Sequence, residues 1–188
     1  MVTGGAGAIG GAIVARFLSD GARVAILDLR LEAGLAKVRE LAAAGLVTEG
    51  RVTCHEVDVR SREKCREVVT QIVAAWGGVH HLVNCVAYFG SEGLQATEAD
   101  WDTTMRWSWH LLNTGPSLVS VSRVNVAGSC FMVQAVVEHM QAYSGTENCS
   151  VTNMSSISAH QTQPNRLELS LGLREISQCP EEAPTSVY

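Results

Sequence analysis

The segment that most constrains this chain is Thr3-Gly4-Gly5-Ala6-Gly7-Ala8-Ile9-Gly10, set between a very short apolar start and a helix-patterned stretch. Glycines at this density let the backbone turn tightly and let another molecule approach the main chain. A helix beginning just afterwards presents free N–H groups and the positive end of its dipole to whatever sits in the turn, so the segment reads as an anion cradle. Gly5, Gly7 and Gly10 also meet the bare Gly-x-Gly-x-x-Gly pattern. The glycines and the lack of a basic leader argue against reading the first fifteen residues as a secretory signal.

Downstream, short apolar runs alternate with helical periodicity. Ile13, Phe17 and Gly21 recur every four residues and predict a helix that stops at glycine, and Val24 to Asp28 predicts a strand buried on both faces. Leu31, Leu35, Val38 and Leu41 with Ala42 predict a second helix, and Val52 to Val59 a strand. Cys65, Val68, Val69, Ile72, Ala75 and Trp76 predict a third helix ending at Gly77-Gly78; His81 to Val86 and Cys149 to Met154 predict two more strands. This alternation implies a parallel sheet with right-handed crossovers and helices on both faces, a doubly wound α/β (Rossmann-like) fold. With 188 residues, 46% hydrophobic and only 18% charged, the chain has enough apolar content for one core and is neither disordered nor a charge-rich coiled coil.

Charge and cysteine usage narrow the function classes. The net charge is −5, and Lys37 and Lys64 are the only lysines among fourteen basic residues, so no basic patch exists to neutralise a nucleic-acid backbone. The six cysteines lie far apart without a Cys-x-x-Cys pair, which predicts reduced thiols in a cytoplasmic protein and no zinc. His80 and His81 are strand neighbours facing opposite sides, so they do not chelate one ion, and no metal site is expected. The longest uncharged run, Trp107 to Ser122, carries Asn113, Gly115 and Pro116 and is too short to cross a bilayer.

Asp28 closes the second predicted strand, 18 residues after Gly10. A carboxylate at that point accepts both hydroxyls of an adenosine ribose and repels a 2′-phosphate, which makes the turn a dinucleotide site favouring NAD over NADP even with Arg30 two residues on.

The helical pattern then breaks. Thr97 to Asp100 forms a capping box opening a helix with Trp101 and Met105, but residues 107–123 interrupt it, and the apolar stripe resumes at Phe131, Met132, Ala135 and Val136. Removing 107–123 on paper restores one stripe through Trp101, Met105, Asn125, Met132 and Val136, placing the Asn125 amide on a buried face where it needs partners. From Leu167 the texture changes again, and residues 167–188 are expected to be a divergent, partly disordered tail.

Taken together these motifs resemble the short-chain dehydrogenase/reductase family. Thr3-Gly4-x-x-x-Ala8-x-Gly10 resembles its cofactor turn and Asp58-Val59 its adenine-contacting pair. Asn84-Cys85-Val86-Ala87 stands where the family carries Asn-Asn-Ala-Gly, Asn125 is similar to its helix asparagine, and Ser156 to its substrate-orienting serine. The resemblance implies a cofactor site of Thr3, Gly4, Gly5, Ala8, Ile9, Gly10, Asp28, Asp58, Val59, Asn84 and Ala87, with Asn125 and Ser156 as catalytic positions.

It also implies hydride transfer between an alcohol or ketone and nicotinamide, with a tyrosine thirteen residues after the serine and a lysine four further on moving the proton. Those places hold Leu169 and Leu173, so the expectation is a family chain without catalytic competence: a partial Rossmann domain over 1–166, incomplete at both ends, with an insertion at 107–123 of the kind altered splicing produces. The alternative is a nucleotide-binding pseudoenzyme or an interaction partner of a full-length relative, forming a homo- or hetero-oligomer through the helix around 124–140. The very short Met1-Val2 start leaves open a chain that does not fold stably.

Overall fold

The structure, a computed structural model, describes residues 1–88, 123–142 and 148–156. Within them the chain runs β1 (Val2–Thr3), α1 (Ala8–Ser19), β2 (Val24–Asp28), α2 (Leu31–Ala43), β3 (Val52–Glu56), α3 (Arg62–Trp76) and β4 (His81–Asn84). A π-helical turn (Arg123–Gly128) leads into α4 (Ser129–Ala142), and β5 (Ser150–Asn153) follows. The strands form one parallel sheet of order β3-β2-β1-β4-β5. This is the doubly wound, Rossmann-like arrangement that the alternation predicts.

Side-chain alternation along the strands separates two cores. In β2, Ala25 and Leu27 join α3 and α4 on one face, while Val24 and Ile26 join α1 and α2 on the other. Leu82 and Val83 of β4 divide in the same way. Both residues of β1 are fully buried, and each is paired on both sides: Val2 with Ile26 and Val83, Thr3 with Leu27 and Asn84. A two-residue strand thus holds the centre of the sheet because neighbours satisfy it from both edges.

Two helix faces are rotated from the expected stripes. In α1 the buried line is Gly11, Val14 and Leu18, with Ile13 and Phe17 only half-buried beside it. In α2 the contact face is Gly34, Val38 and Leu41, whereas Leu35 and Ala42 are exposed. Close approach decides the second case, since a Cβ on Gly34 would lie 2.0 Å from the Cys54 sulfur. Apolar periodicity counts large side chains and misses a helix that packs through glycine.

Strand ends are also shorter than expected. β4 stops at Asn84 because the Cys85 and Val86 N–H groups donate to Thr3 Oγ1 instead of to a neighbouring strand. β3 stops at Glu56, and Asp58 turns the chain by accepting the Ser61 N–H on its carbonyl. α3 ends where the sequence predicts, at Gly77 with φ +81°, and it starts after Ser61, whose side chain accepts the Lys64 N–H. The capping box at 97–100, Trp101, Met105, residues 107–122, Leu169, Leu173 and the whole 167–188 tail lie outside the described residues.

Candidate functional site

A cavity of about 650 Å³ opens at the carboxyl ends of β1 to β4. It lies where the strand order reverses between β1 and β4, the crevice in which open α/β sheets hold ligands. Its floor is the glycine turn. Gly4 has φ +64°, and a Cβ there would sit 2.9 Å from the Val86 Cα; a Cβ on Gly10 would come within 2.2 Å of the Gly4 carbonyl oxygen. The turn therefore closes only with glycine at both places.

Helix α1 begins directly behind the turn, with Gly7 as an N-cap that supplies no side chain and no acidic residue in the first turn. Its N-terminal N–H groups and dipole are unopposed by any carboxylate of the helix itself, which suits an anion.

Asp28 borders the cavity at the end of β2. Its Oδ2 accepts the Ala6 N–H at 3.3 Å and its Oδ1 the Arg30 N–H at 3.3 Å, so the carboxylate is tied to the glycine turn and to the start of α2. Asp58 stands at the end of β3 and pairs with Arg60; the Arg60 side chain lowers the Asp58 pKa below its ordinary value.

Of the residues implied by sequence, Gly4, Ala8, Ile9, Gly10, Asp28, Asp58, Val59 and Ala87 line the cavity. Thr3, Gly5 and Asn84 do not line it. Thr3 is wholly buried and ties β1 to the β4 exit through its hydroxyl, and Gly5 packs against Ile26. Asn84 is 2% exposed and donates to Asn153 Oδ1 at 2.9 Å and the Ser129 carbonyl at 3.3 Å, bracing β4 against β5 and α4.

Asn125 is 1% exposed, and the polar residue expected on a buried face finds its partners in one place. Its Oδ1 accepts the Tyr88 N–H at 2.7 Å and its Nδ2 donates to the Tyr88 carbonyl at 3.0 Å. Ser129 Oγ donates to the Asn125 carbonyl at 2.9 Å. The asparagine amide is thus spent on the backbone of a cavity-wall residue. Ser156 lies beyond the end of β5 and is half-buried.

Sequence reasoning missed Arg60, Cys85, Val86 and Tyr88 as wall residues. A signal existed for two of them. The Asp58-x-Arg60 spacing in a turn brings an arginine back onto a carboxylate, and an aromatic residue just past a strand's carboxyl end falls at the rim of the crevice. Tyr88, Ile9 and Leu29 are large apolar residues left exposed, and all three border this cavity.

The family model for short chain dehydrogenase matches residues 1–168. A probable galactose dehydrogenase from Rhizobium meliloti is 35% identical over 158 residues, covering 84% of this chain and 53% of that protein. A sorbitol dehydrogenase from Cereibacter sphaeroides is 31% identical over 157 residues, covering 83% of this chain and 51% of that protein. The chain therefore spans about half the length of these relatives. A short-chain type dehydrogenase/reductase from Mycobacterium marinum shares the fold, with a TM-score of 0.73 at 17% identity over 93% of this chain and 63% of the other.

Proposed function

The chain belongs to the short chain dehydrogenase family, an oxidoreductase family, and from that premise we propose that its cavity binds NAD and serves chemistry between an alcohol and a ketone. The observation that carries this reading is the glycine turn with Asp28 at the neighbouring strand end, both on one cavity wall. Gly4 and Gly10 let the turn close tightly on itself, and the start of α1 behind it supplies N–H groups that suit a pyrophosphate. Asp28 suits ribose hydroxyls and opposes a 2′-phosphate, which favours NAD over NADP. When bound, the nicotinamide supplies the hydride acceptor or donor.

The chain's own residues do the positioning. Asn125 fixes the Tyr88 backbone on the wall, and Ser156, past the end of β5, stands at the position of the family's substrate-orienting serine. Asn125 cannot also hand on a proton through its amide while both ends of that amide hold Tyr88. With Leu169 and Leu173 in the places of the family's proton-transferring pair, the reading is a chain that binds NAD without turning over.

Calorimetric titration of the full chain with NAD and NADP tests the binding. We expect one NAD per chain, bound at least about tenfold more tightly than NADP, with the preference lost in Asp28→Ala. Tighter binding of NADP overturns the choice of cofactor, and no binding of either overturns the assignment of the cavity. NADH with a panel of ketones should give no oxidation above background; turnover that disappears in Ser156→Ala overturns the inactive reading.

A further inference from the structure

The cavity is uneven in charge. Its charged wall residues, Asp28, Arg30, Asp58 and Arg60, all stand at or just past the ends of β2 and β3. The opposite wall is Cys85, Val86, Ala87 and Tyr88 past the end of β4, with Val124 from the π-helical turn. None of these is a charged side chain, and burial pushes the Cys85 thiol up, away from its thiolate. Among the described residues lining the cavity, Tyr88 is the only aromatic one.

Tyr88 is also held in a particular way. The residue is 41% exposed, yet both of its backbone groups are taken by one buried amide, that of Asn125, at 2.7 Å and 3.0 Å. The Asn125 carbonyl accepts Ser129 Oγ at 2.9 Å, which ties the asparagine to the start of α4. A buried amide needs partners, and this one takes both from the backbone of a residue whose side chain stands at the cavity rim. The effect is to fix the main chain from which the ring projects, so less freedom is lost when the ring meets a ligand.

A dinucleotide lies across the point where the strand order reverses, with one nucleotide on either side of its phosphates. With the adenosine ribose at Asp28 and the pyrophosphate at the turn behind β1, the second nucleotide falls over the end of β4. We propose that Tyr88 is a nicotinamide-contacting residue, laying its ring against the nicotinamide ring, and that Asn125 is its positioning residue. This rests on the reading of the cavity as an NAD site and deepens it. The nicotinamide of oxidised NAD is a pyridinium, a flat cation, and the face of a tyrosine ring attracts a cation. The dihydronicotinamide of NADH is neutral, so the contact favours the oxidised cofactor.

The test is a calorimetric comparison on the full chain using NAD, NADH and ADP-ribose, which has no nicotinamide. Tyr88→Leu should weaken NAD by about tenfold and NADH by about threefold or less, and leave ADP-ribose within about twofold of the unaltered chain. Tyr88→Phe keeps the ring and should hold all three ligands within about twofold. Asn125→Ala releases the backbone under the ring, and should weaken NAD by less than Tyr88→Leu does, with ADP-ribose again unmoved. A thermal melt of each variant that keeps a single cooperative transition assigns the loss to the site and not to the fold.

Equal losses of NAD and ADP-ribose in Tyr88→Leu overturn the proposal, because the residue is then shaping the cavity and not meeting the nicotinamide. Unchanged NAD affinity in that variant overturns it as well, and so does a loss of NADH as large as that of NAD. NAD affinity unmoved in Asn125→Ala overturns the positioning role. Failure of the unaltered chain to bind either NAD or ADP-ribose overturns the cavity assignment instead, so the two failures are told apart.

Discussion

The two sides of the sheet hold their functional groups by different means. On the β1-β2-β3 side the cavity is walled by backbone and by short-range pairs: the glycine turn, the free end of α1, Asp28 with the Arg30 N–H, and Asp58 with Arg60. Each pair lies within two residues in sequence. On the β4-β5 side the candidate groups are side chains joined over long distances, Asn125 to Tyr88 across 37 positions and Asn84 to Asn153 across 69. The pairs at Asp28 and Asp58 form within their own turns, although Asp28 also accepts the Ala6 N–H across 22 positions. The long-range pairs exist only once the whole sheet and α4 have assembled, so substitutions on the two sides should fail differently.

The sharpest break in that comparison comes from the glycine turn. Gly10→Ala puts a methyl 2.2 Å from the Gly4 oxygen and 2.8 Å from the Gly4 carbon, both main-chain atoms that have no side-chain freedom to move aside. Overpacking of this kind costs about 1–3 kcal/mol or more, and it also deforms the cradle itself. We expect loss of measurable NAD binding together with a lower melting temperature. Gly7→Ala, whose methyl would lie 3.2 Å from the same oxygen, should cost much less. Retention of NAD affinity by Gly10→Ala would show that the turn is not the cradle.

That locality also explains what could be read in advance. The turn, Asp28 and the end of α3 at Gly77 follow from residues a few positions apart, and the structure has them where the sequence pattern put them. The buried state of Asn125 was legible as a polar residue on an apolar stripe, but its partner was not, because nothing in the spacing of 88 and 125 links them. The same holds for Asn84, a strand asparagine whose amide braces β5 and not the cavity. The α2 face was misread for another reason: its contact is made by Gly34, a residue with no side chain to announce it.

A middle-sized effect tests the long-range side. Asn125→Ala removes both partners of the Tyr88 peptide groups, and leaving buried polar groups unpaired costs about 1–3 kcal/mol each; Tyr88 is 41% exposed, so water recovers part of it. We expect a net destabilisation of about 1–3 kcal/mol in urea melts. NAD affinity should fall by less than about tenfold, because the turn and Asp28 stay in place. Asn125→Asp keeps an acceptor for the Tyr88 N–H but sets a buried carboxylate against the Tyr88 carbonyl, and should destabilise at least as much as Asn125→Ala. If Asn125→Ala melts like the unaltered chain, the clamp is idle and the asparagine is free for another role.

The smallest effect separates the two sides by pH. His55, on the edge strand β3, is held below the ordinary histidine value of 6.5 by partial burial, with Nε2 against Thr53 Oγ1 at 3.0 Å. The unfolded chain then binds more protons than the folded chain at pH values just below 6.5, so stability is full above that value and falls as the pH drops through it. His81, lowered by burial and by His80, acts in the same sense. Asp58 does not contribute in this window: its pKa is lowered from 3.8 by Arg60, so its share of stability is lost only in stronger acid. The melting temperature should therefore decline modestly from about pH 7.5 to about pH 5.5, and His55→Gln should flatten part of that slope while leaving the more acidic limb unchanged. An unaltered slope in His55→Gln would move the titration to the β4 side, where His81 sits against Ser150 Oγ at 2.9 Å across the strand pair.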